Sequence, residues 1–376
     1  MTDRYDAIVL GVGGMGAATI SHLAERGANV LGLERYDVPH GYGSSHGVTR
    51  IIRLAYYEDP AYVPLLQRAY DLWADLEAGH DQQLFYQIGS IDAGPAGSDL
   101  VEGSRRSCEE HGLEYEALSS ADLSDRYPGY QLPEDYEAVY QPDGGFLVPE
   151  QCIVAHVNRA HDAGATIRAR ERVVGWRETG DGGVTVETDH ATYDADKLVV
   201  TAGAWASKFL DELEGIVVPE RQVLAWLQPE VPDHFEPEAH PVWNLQVPEG
   251  RFYGFPVHGV PGFKFGRYHH RETDVDPDAF EREPTQADER LLREFAEEYF
   301  PDGAGPTMRL KTCLFTNTPD DDFVLDTLSA HPQVAVGAGF SGHGFKFASV
   351  IGEVLADLTL EGETEHDIGM FSLDRF

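Results

Sequence analysis

Three kinds of residue in this chain are spaced so that they could do chemistry: glycine turns near both ends, lysines set among apolar residues, and arginines crowded behind the first turn. Gly11-Val12-Gly13-Gly14-Met15-Gly16 follows the apolar run Ala7 to Leu10 and precedes apolar residues at helical spacing from Ala17 to Arg26. A second apolar run, Val30 to Leu33, ends on Glu34. That is a dinucleotide fingerprint in its required setting. Gly11 permits the tight turn, Gly13 lets the backbone approach a pyrophosphate, Gly16 allows close helix packing, and Glu34 can accept from a ribose hydroxyl. The helix N-terminus supplies partial positive charge to the phosphates. The fingerprint alone does not separate FAD from NAD.

Near the other end, a strand over Val334 to Ala338 leads into Gly339-Phe340-Ser341-Gly342-His343-Gly344, and a helix is predicted over Phe345 to Leu360. Lys346 falls in its first turn. A helix N-terminus disfavours a cation, so Lys346 makes sense there if an anion shares the site, where the two would stabilise negative charge on a reduced cofactor ring. The alternative is an exposed lysine at a frayed end. Lys264 stands between Phe263 and Phe265 on a predicted strand and points away from them, either to water or inward, where burial would lower its pKa. His40, His46, Arg50 and Arg53 crowd one glycine-rich loop, which is either a solvated basic edge or a buried anion site.

The elements that must position these residues alternate between two styles. Asp59-Pro60 opens a helix carrying Val63, Leu66, Ala69, Leu72, Trp73 and Leu76 on one face, and Pro149 to His161 forms another, with Cys152 and His156 as core residues. Strands at Val173 to Trp176 and Val184 to Thr188 form a hairpin, and Lys197 to Thr201 is a buried strand ending in a small-residue turn. Between about 80 and 140 the strand–helix alternation is lost, which marks passage into another domain. Residues 219 to 270 alternate large apolar and polar side chains, as strands with one face toward a cavity do. Thr285 to Phe300 reads as an amphipathic helix.

A length of 376 residues suggests two domains, and a hydrophobic fraction of 42% is enough to bury both. Sixty-five acids against 28 bases give a formal charge of -37, which argues against nucleic-acid and anionic-membrane partners. Only Lys197, Lys208, Lys264, Lys311 and Lys346 represent lysine, and so acidic a surface suggests adaptation to high salt. With no apolar run of membrane-spanning length and no signal peptide, the expected location is the cytoplasm. Cys108, Cys152 and Cys313 are widely spaced, fit a reducing compartment and exclude a cysteine-rich metal site. By residue type alone Cys313 is a buried structural thiol.

Taken together, Gly11 to Gly16, Ser45 to Arg53, Tyr253-Gly254-Phe255-Pro256, Lys311-Thr312-Cys313, Thr318-Pro319-Asp320 with Asp326, and Gly339 to Phe347 resemble the monomeric sarcosine oxidase and N-methyltryptophan oxidase family of FAD-dependent amine oxidases. The likeness covers nearly the whole chain. It implies an α/β fold with a Rossmann-like FAD domain from residues 1–80, 141–212 and 320–376. Residues 81–140 and 213–319 would form an α+β substrate domain with a mostly antiparallel sheet. It also implies an FAD bonded through the sulfur of Cys313 and held by Gly11, Gly13, Gly16, Glu34, Arg50, Gly342, His343, Gly344 and Lys346. Arg53 and Lys346 would hold a substrate carboxylate, His46 and Arg50 would line the flavin, Lys264 would promote reaction with oxygen, and Tyr253 and His269 would face the substrate.

The implied activity is oxidation of secondary amino acids such as sarcosine or N-methyltryptophan, with hydride transfer to flavin and reduction of oxygen to hydrogen peroxide, by a monomer without a metal. Two departures stand out. Arg267 lengthens the family's Lys-x-Gly-Tyr-His run, leaving His269 and His270 as alternatives, and Phe315 replaces a tyrosine two residues after the flavin cysteine. The alternatives are a flavoprotein dehydrogenase or electron-transfer subunit acting on proline or pipecolate, and a nicotinamide-dependent dehydrogenase, which leaves the C-terminal turn and Lys346 unexplained.

Overall fold

The computed structural model describes residues 4–376 and contains two eight-stranded sheets and one small sheet. In the first sheet Tyr5–Leu10 lies parallel to Thr192–Val200 on one side and Val30–Leu33 on the other, with Thr166–Arg168 beyond. These strands are continuous apolar runs because both faces are covered; Ala7, Ile8, Val9, Leu198, Val199 and Val200 have no exposed surface. Thr192–Val200 is forked. Its first half pairs antiparallel with Val184–Thr188, and its second half pairs parallel with His331–Ala338. The C-terminal segment therefore returns beside the N-terminal one. Helices Gly14–Glu25 and Ala348–Leu360 cross so closely that a Cβ built on Gly352 would stand 2.5 Å from Ala18 Cβ.

The second sheet runs in the order Thr307–Asn317, Val218–Leu227, Phe263–Arg267, Gly250–Phe255, Val242–Val247, Ser90–Pro95, Tyr136–Gln141, Glu116–Ser119. Every pairing is antiparallel except Val242–Val247 with Ser90–Pro95. Alternation divides its side chains into two sets. Val223, Ala225, Trp243, Leu245, Phe252, Phe263 and Phe265 join Leu292 and Phe295 of helix Gln286–Tyr299 in one core. A capping box between Thr285 and Asp288 starts that helix. On the opposite face the register places Arg309, Trp226, Lys264 and Phe255 in one row, and Lys311, Leu224, Gly266 and Tyr253 in the next.

The remaining three-stranded sheet joins Arg50–Ile52, Gly145–Leu147 and Phe85–Gln87. The α/β class and the separate, mostly antiparallel sheet agree with the sequence. Three boundaries differ. The first helix begins at Gly14 rather than Ala17, because Gly13 O already accepts from Ala17 N. The Thr192–Val200 strand starts five residues before Lys197, where the hairpin extends it. The final helix is preceded by a single 3₁₀ turn, Phe345–Phe347, and Lys346 lies in that turn. Among the described residues no helix is long and apolar enough to cross a membrane, and no cluster of His, Cys, Asp or Glu is placed to hold a metal ion.

Candidate active site

A long cleft runs from the first glycine turn to the second sheet, lined by Gly11, Gly13, Gly14, Glu34, Ser45 and Arg50, by Thr201 to Trp205, by Gly339, Gly342 and Gly344, and by Tyr253 and Cys313 to Thr316. Gly11 has φ +94, and a Cβ there would stand 2.6 Å from Thr201 O. On Gly16, which does not line the cleft, a Cβ would stand 1.8 Å from Gly11 O, so this glycine allows helix and turn to touch. Glu34 accepts from the amides of Val12 and Tyr36, both at 2.9 Å. Burial would raise its pKa, but His40 and those amides outweigh burial and hold it below the ordinary range. This backbone cradle and its carboxylate fit the diphosphate and ribose of a dinucleotide.

The segment around Asp278 edges the cleft. Asp278 lines it and accepts from Arg35 at 2.5 Å, Lys208 at 2.7 Å and Trp205 Nε1 at 2.9 Å, all on the dinucleotide side. Lys208 also reaches Asp276 at 2.6 Å, and Arg282 donates to Tyr42 O at 3.2 Å. These contacts form a strap. No local pattern announces it, because every partner is distant in the chain.

At the inner end Cys313 is buried, with Arg50 Nη2 3.7 Å from its sulfur. Arg50 also donates to Ser44 O at 2.6 Å and Thr49 O at 2.9 Å, which holds it at the cleft wall. Phe315, in the position of the missing tyrosine, lies so close to Gly342 (φ +80) that a Cβ there would stand 2.4 Å from its ring.

Lys264 points inward and is buried. Its Nζ donates to Thr49 O at 2.7 Å and Thr49 Oγ1 at 2.9 Å, and lies 4.0 Å from the Phe255 ring centroid. Burial, reinforced by Arg50, pushes its pKa well below the ordinary value. The loop bearing Thr49 is fixed from elsewhere: Glu150, in the first turn of helix Pro149–Asp162, accepts from Gly47 N at 2.7 Å and Val48 N at 3.2 Å. Val48 has φ +74, a backbone state that a β-branched residue adopts only when held.

Arg53 and Lys346 come together as a pair against one ring, with Arg53 Cζ 4.6 Å and Lys346 Nζ 5.1 Å from the centroid of Tyr56. Both are buried. Lys346 donates to His343 O at 2.7 Å, and burial together with Arg53 lowers its pKa to about 7. Arg53 donates to Glu58 Oε2 at 2.7 Å. Burial would raise the Glu58 pKa, but Arg53 overcomes it and holds the carboxyl at about 2. Glu58 Oε1 is buried without a partner. Sequence reasoning passed over this acid, although it lies five residues from Arg53.

Four histidines expected at the site lie outside the long cleft. His269 follows the end of its strand with φ +50, and its half-exposed ring is 2.7 Å from Glu220, which raises its pKa. His270 is buried on Asp288 at 3.1 Å. Neither lines the cleft. Tyr268 packs instead against two residues of the cleft wall, its ring centroid 5.1 Å from Tyr253 and 5.7 Å from Phe315. Burial and then Glu58 push its pKa up to about 12. His343 is structural: its Nδ1 meets the Tyr56 hydroxyl, and its Nε2 lies 3.0 Å from Asp321 O. His46 lines a separate cleft beside Lys311 rather than the long one.

The sheet topology, the glycine turns and the Glu34 carboxylate define a dinucleotide-binding protein. The family model described as DAO, FAD dependent oxidoreductase, matches residues 6–358, and the chain belongs to that family. It is 41% identical to a monomeric sarcosine oxidase of Bacillus sp. (strain NS-129), over all of this chain and 98% of that protein. It is 36% identical to an N-methyl-L-tryptophan oxidase of Escherichia coli O157:H7, over 99% of this chain and all of that one. The solved structure of NikD, an amino acid oxidase essential for nikkomycin biosynthesis, superposes with a TM-score of 0.84 at 29% identity, over 99% of this chain and 98% of that one.

Proposed function

We propose that this chain is an oxidase of secondary, N-methyl amino acids of the sarcosine or N-methyltryptophan type, with FAD linked through Cys313. The observation that carries the reading is a set of three buried cations, Arg53, Lys346 and Lys264, beside a cleft whose wall carries Arg50 and Cys313. Arg53 and Lys346 share the Tyr56 ring and suit a carboxylate, while Lys264 stands apart on the sheet, held by Thr49. When bound, the flavin supplies a two-electron acceptor for the substrate C–H bond and returns those electrons to oxygen as hydrogen peroxide.

The residues prepare the substrate for that exchange. Secondary amino acids have ammonium pKa values near that of lysine, about 10, and two adjacent cations lower that value in the complex. The amine is then neutral without a dedicated base. Lys264 is an amine in a dry pocket whose protonated form would match the negative charge that develops as oxygen is reduced. Arg50 sets a second charge 3.7 Å from Cys313 Sγ, the atom that would be joined to the ring. Tyr253, Tyr268 and Phe315 form an aromatic wall beside the substrate, the role expected of His269.

The same reading assigns the dinucleotide domain to residues 1–80, 141–212 and 320–376, and the substrate domain to 81–140 and 213–319. It takes the chain as a cytoplasmic monomer whose charge of -37 is suited to high salt. Acid precipitation and oxygen uptake test the function. Yellow precipitate, with oxygen consumed on N-methyl amino acids, is expected. A colourless precipitate would remove the sulfur linkage; turnover of proline or pipecolate with a dye but not with oxygen would replace the oxidase reading with a dehydrogenase.

A further inference from the structure

On the far side of the Gly47–Val48 turn from Lys264 lies a second cleft of about 250 Å³, lined by Pro39, His40, His46, Glu150, Arg309 and Lys311, with Gly41, Gly47 and Val48 completing its floor. Trp226 stands between it and Lys264, with Arg309 Cζ 5.2 Å from one part of that indole and Lys264 Nζ 5.6 Å from its ring centroid. We infer that this cleft binds a small monovalent anion, a halide or a simple carboxylate, through His46, Lys311 and Arg309.

Two independent observations point there. His46 is 4% exposed, and its Nε2 is buried with no hydrogen-bond partner. An orphaned ring nitrogen inside a protein is held against a desolvation penalty unless something occupies its direction. Lys311 and Arg309 project from the same strand face as Cys313, and among the described residues neither forms an ion pair with a carboxylate within 4.0 Å. In a chain with 65 acids and 28 bases, two adjacent cations left without an acid are a departure from the rest of the surface.

The acid that does line the cleft is committed elsewhere, since both Glu150 oxygens face the Gly47 and Val48 amides. The space is compact: a Cβ on Gly41 would stand 3.7 Å from Lys311 Nζ and 4.0 Å from the His46 ring. Burial and then Arg50, Lys311 and Lys264 hold the His46 pKa well below the ordinary value, which favours the neutral ring. A neutral imidazole can turn an N–H toward an anion while the two flexible cations supply the charge. The site shares no ligand with the Arg53–Lys346 pair. It touches the reaction only through the turn whose next residue, Thr49, holds Lys264.

The test uses the holoenzyme. Crystals soaked in sodium bromide are expected to show an anomalous peak within hydrogen-bond distance of His46 Nε2, absent in Lys311→Met. In solution at constant ionic strength, bromide and acetate are each titrated while the melting temperature and the flavin spectrum are followed. A saturating response to bromide alone assigns a halide, and displacement of bromide by acetate assigns a carboxylate. Lys311→Met should weaken either by about tenfold or more, the loss of one contact to a charged group. Arg309→Met is the second variant should the first fail to fold. Bromide found only at Lys264 or Lys346, a response that follows ionic strength without saturating, or a peak unchanged by both variants would overturn the site.

Discussion

The two faces of the second sheet are made by the same strands, yet they have opposite characters. One buries Trp243, Phe252, Phe263 and Phe265 against helix Gln286–Tyr299, with the Phe252 and Phe295 rings stacked at 3.7 Å. The other presents Lys264, Tyr253, Cys313, Arg309 and Lys311. A strand with period two can hold an aromatic and a buried lysine at adjacent positions without conflict. The first face makes the sheet rigid, and that rigidity lets the second keep a lysine in a dry site where a mobile backbone would release it to water.

Substitutions on the two faces should therefore fail in different ways. The largest effect is expected from Phe252→Ala, which should lower stability by about 3–5 kcal/mol, measured by urea unfolding, while the surviving folded enzyme keeps its kcat/KM. Loss of turnover without loss of stability would show that this face tunes the chemistry as well. Lys264→Met should do the reverse, slowing reoxidation by oxygen about 100-fold or more while flavin reduction in stopped flow changes little. Equal slowing of both half-reactions would give Lys264 another task.

A smaller effect follows from Lys346. Its folded pKa of about 7 lies below the ordinary value, so the charged form prevails below that pH and is lost as pH rises. The dissociation constant of a carboxylate ligand lacking an amine should rise above neutrality by up to about tenfold, with Arg53 retaining the remainder. A constant affinity across pH 6 to 9, from about one unit below the transition to about two above it, would place the carboxylate elsewhere. The smallest effect belongs to the strap at the edge of the cleft. In a Cys313→Ser background, Asp278→Asn should speed release of FAD severalfold, since exposed ion pairs contribute about 0.2–1 kcal/mol each. Unchanged release would reduce the strap to a surface contact.

What was legible in the sequence is what repeats locally. Gly11 to Gly16 and the flanking runs announced the first sheet, because turn and strand chemistry is written in adjacent residues. Period two placed Lys264 opposite Phe263 and Phe265, but whether that side was wet depended on Trp226 and Phe255, supplied by other strands. The same count from Lys264 reaches Gly266 and Tyr268, so the signal for Tyr268 was present and the chemistry of histidine drew the expectation to His269 instead. Glu150 left no trace, because its partners Gly47 and Val48 are about a hundred residues earlier. Pairings of that span have no period to read.

The fork in Thr192–Val200 bears on biosynthesis. One edge of that strand receives its last partner, His331–Ala338, only when nearly the entire polypeptide has left the ribosome, and the turn Gly339 to Gly344 emerges later still. The nascent chain therefore cannot close its nucleotide chamber during translation. Cofactor capture is expected only after residues 339–344 have been synthesised.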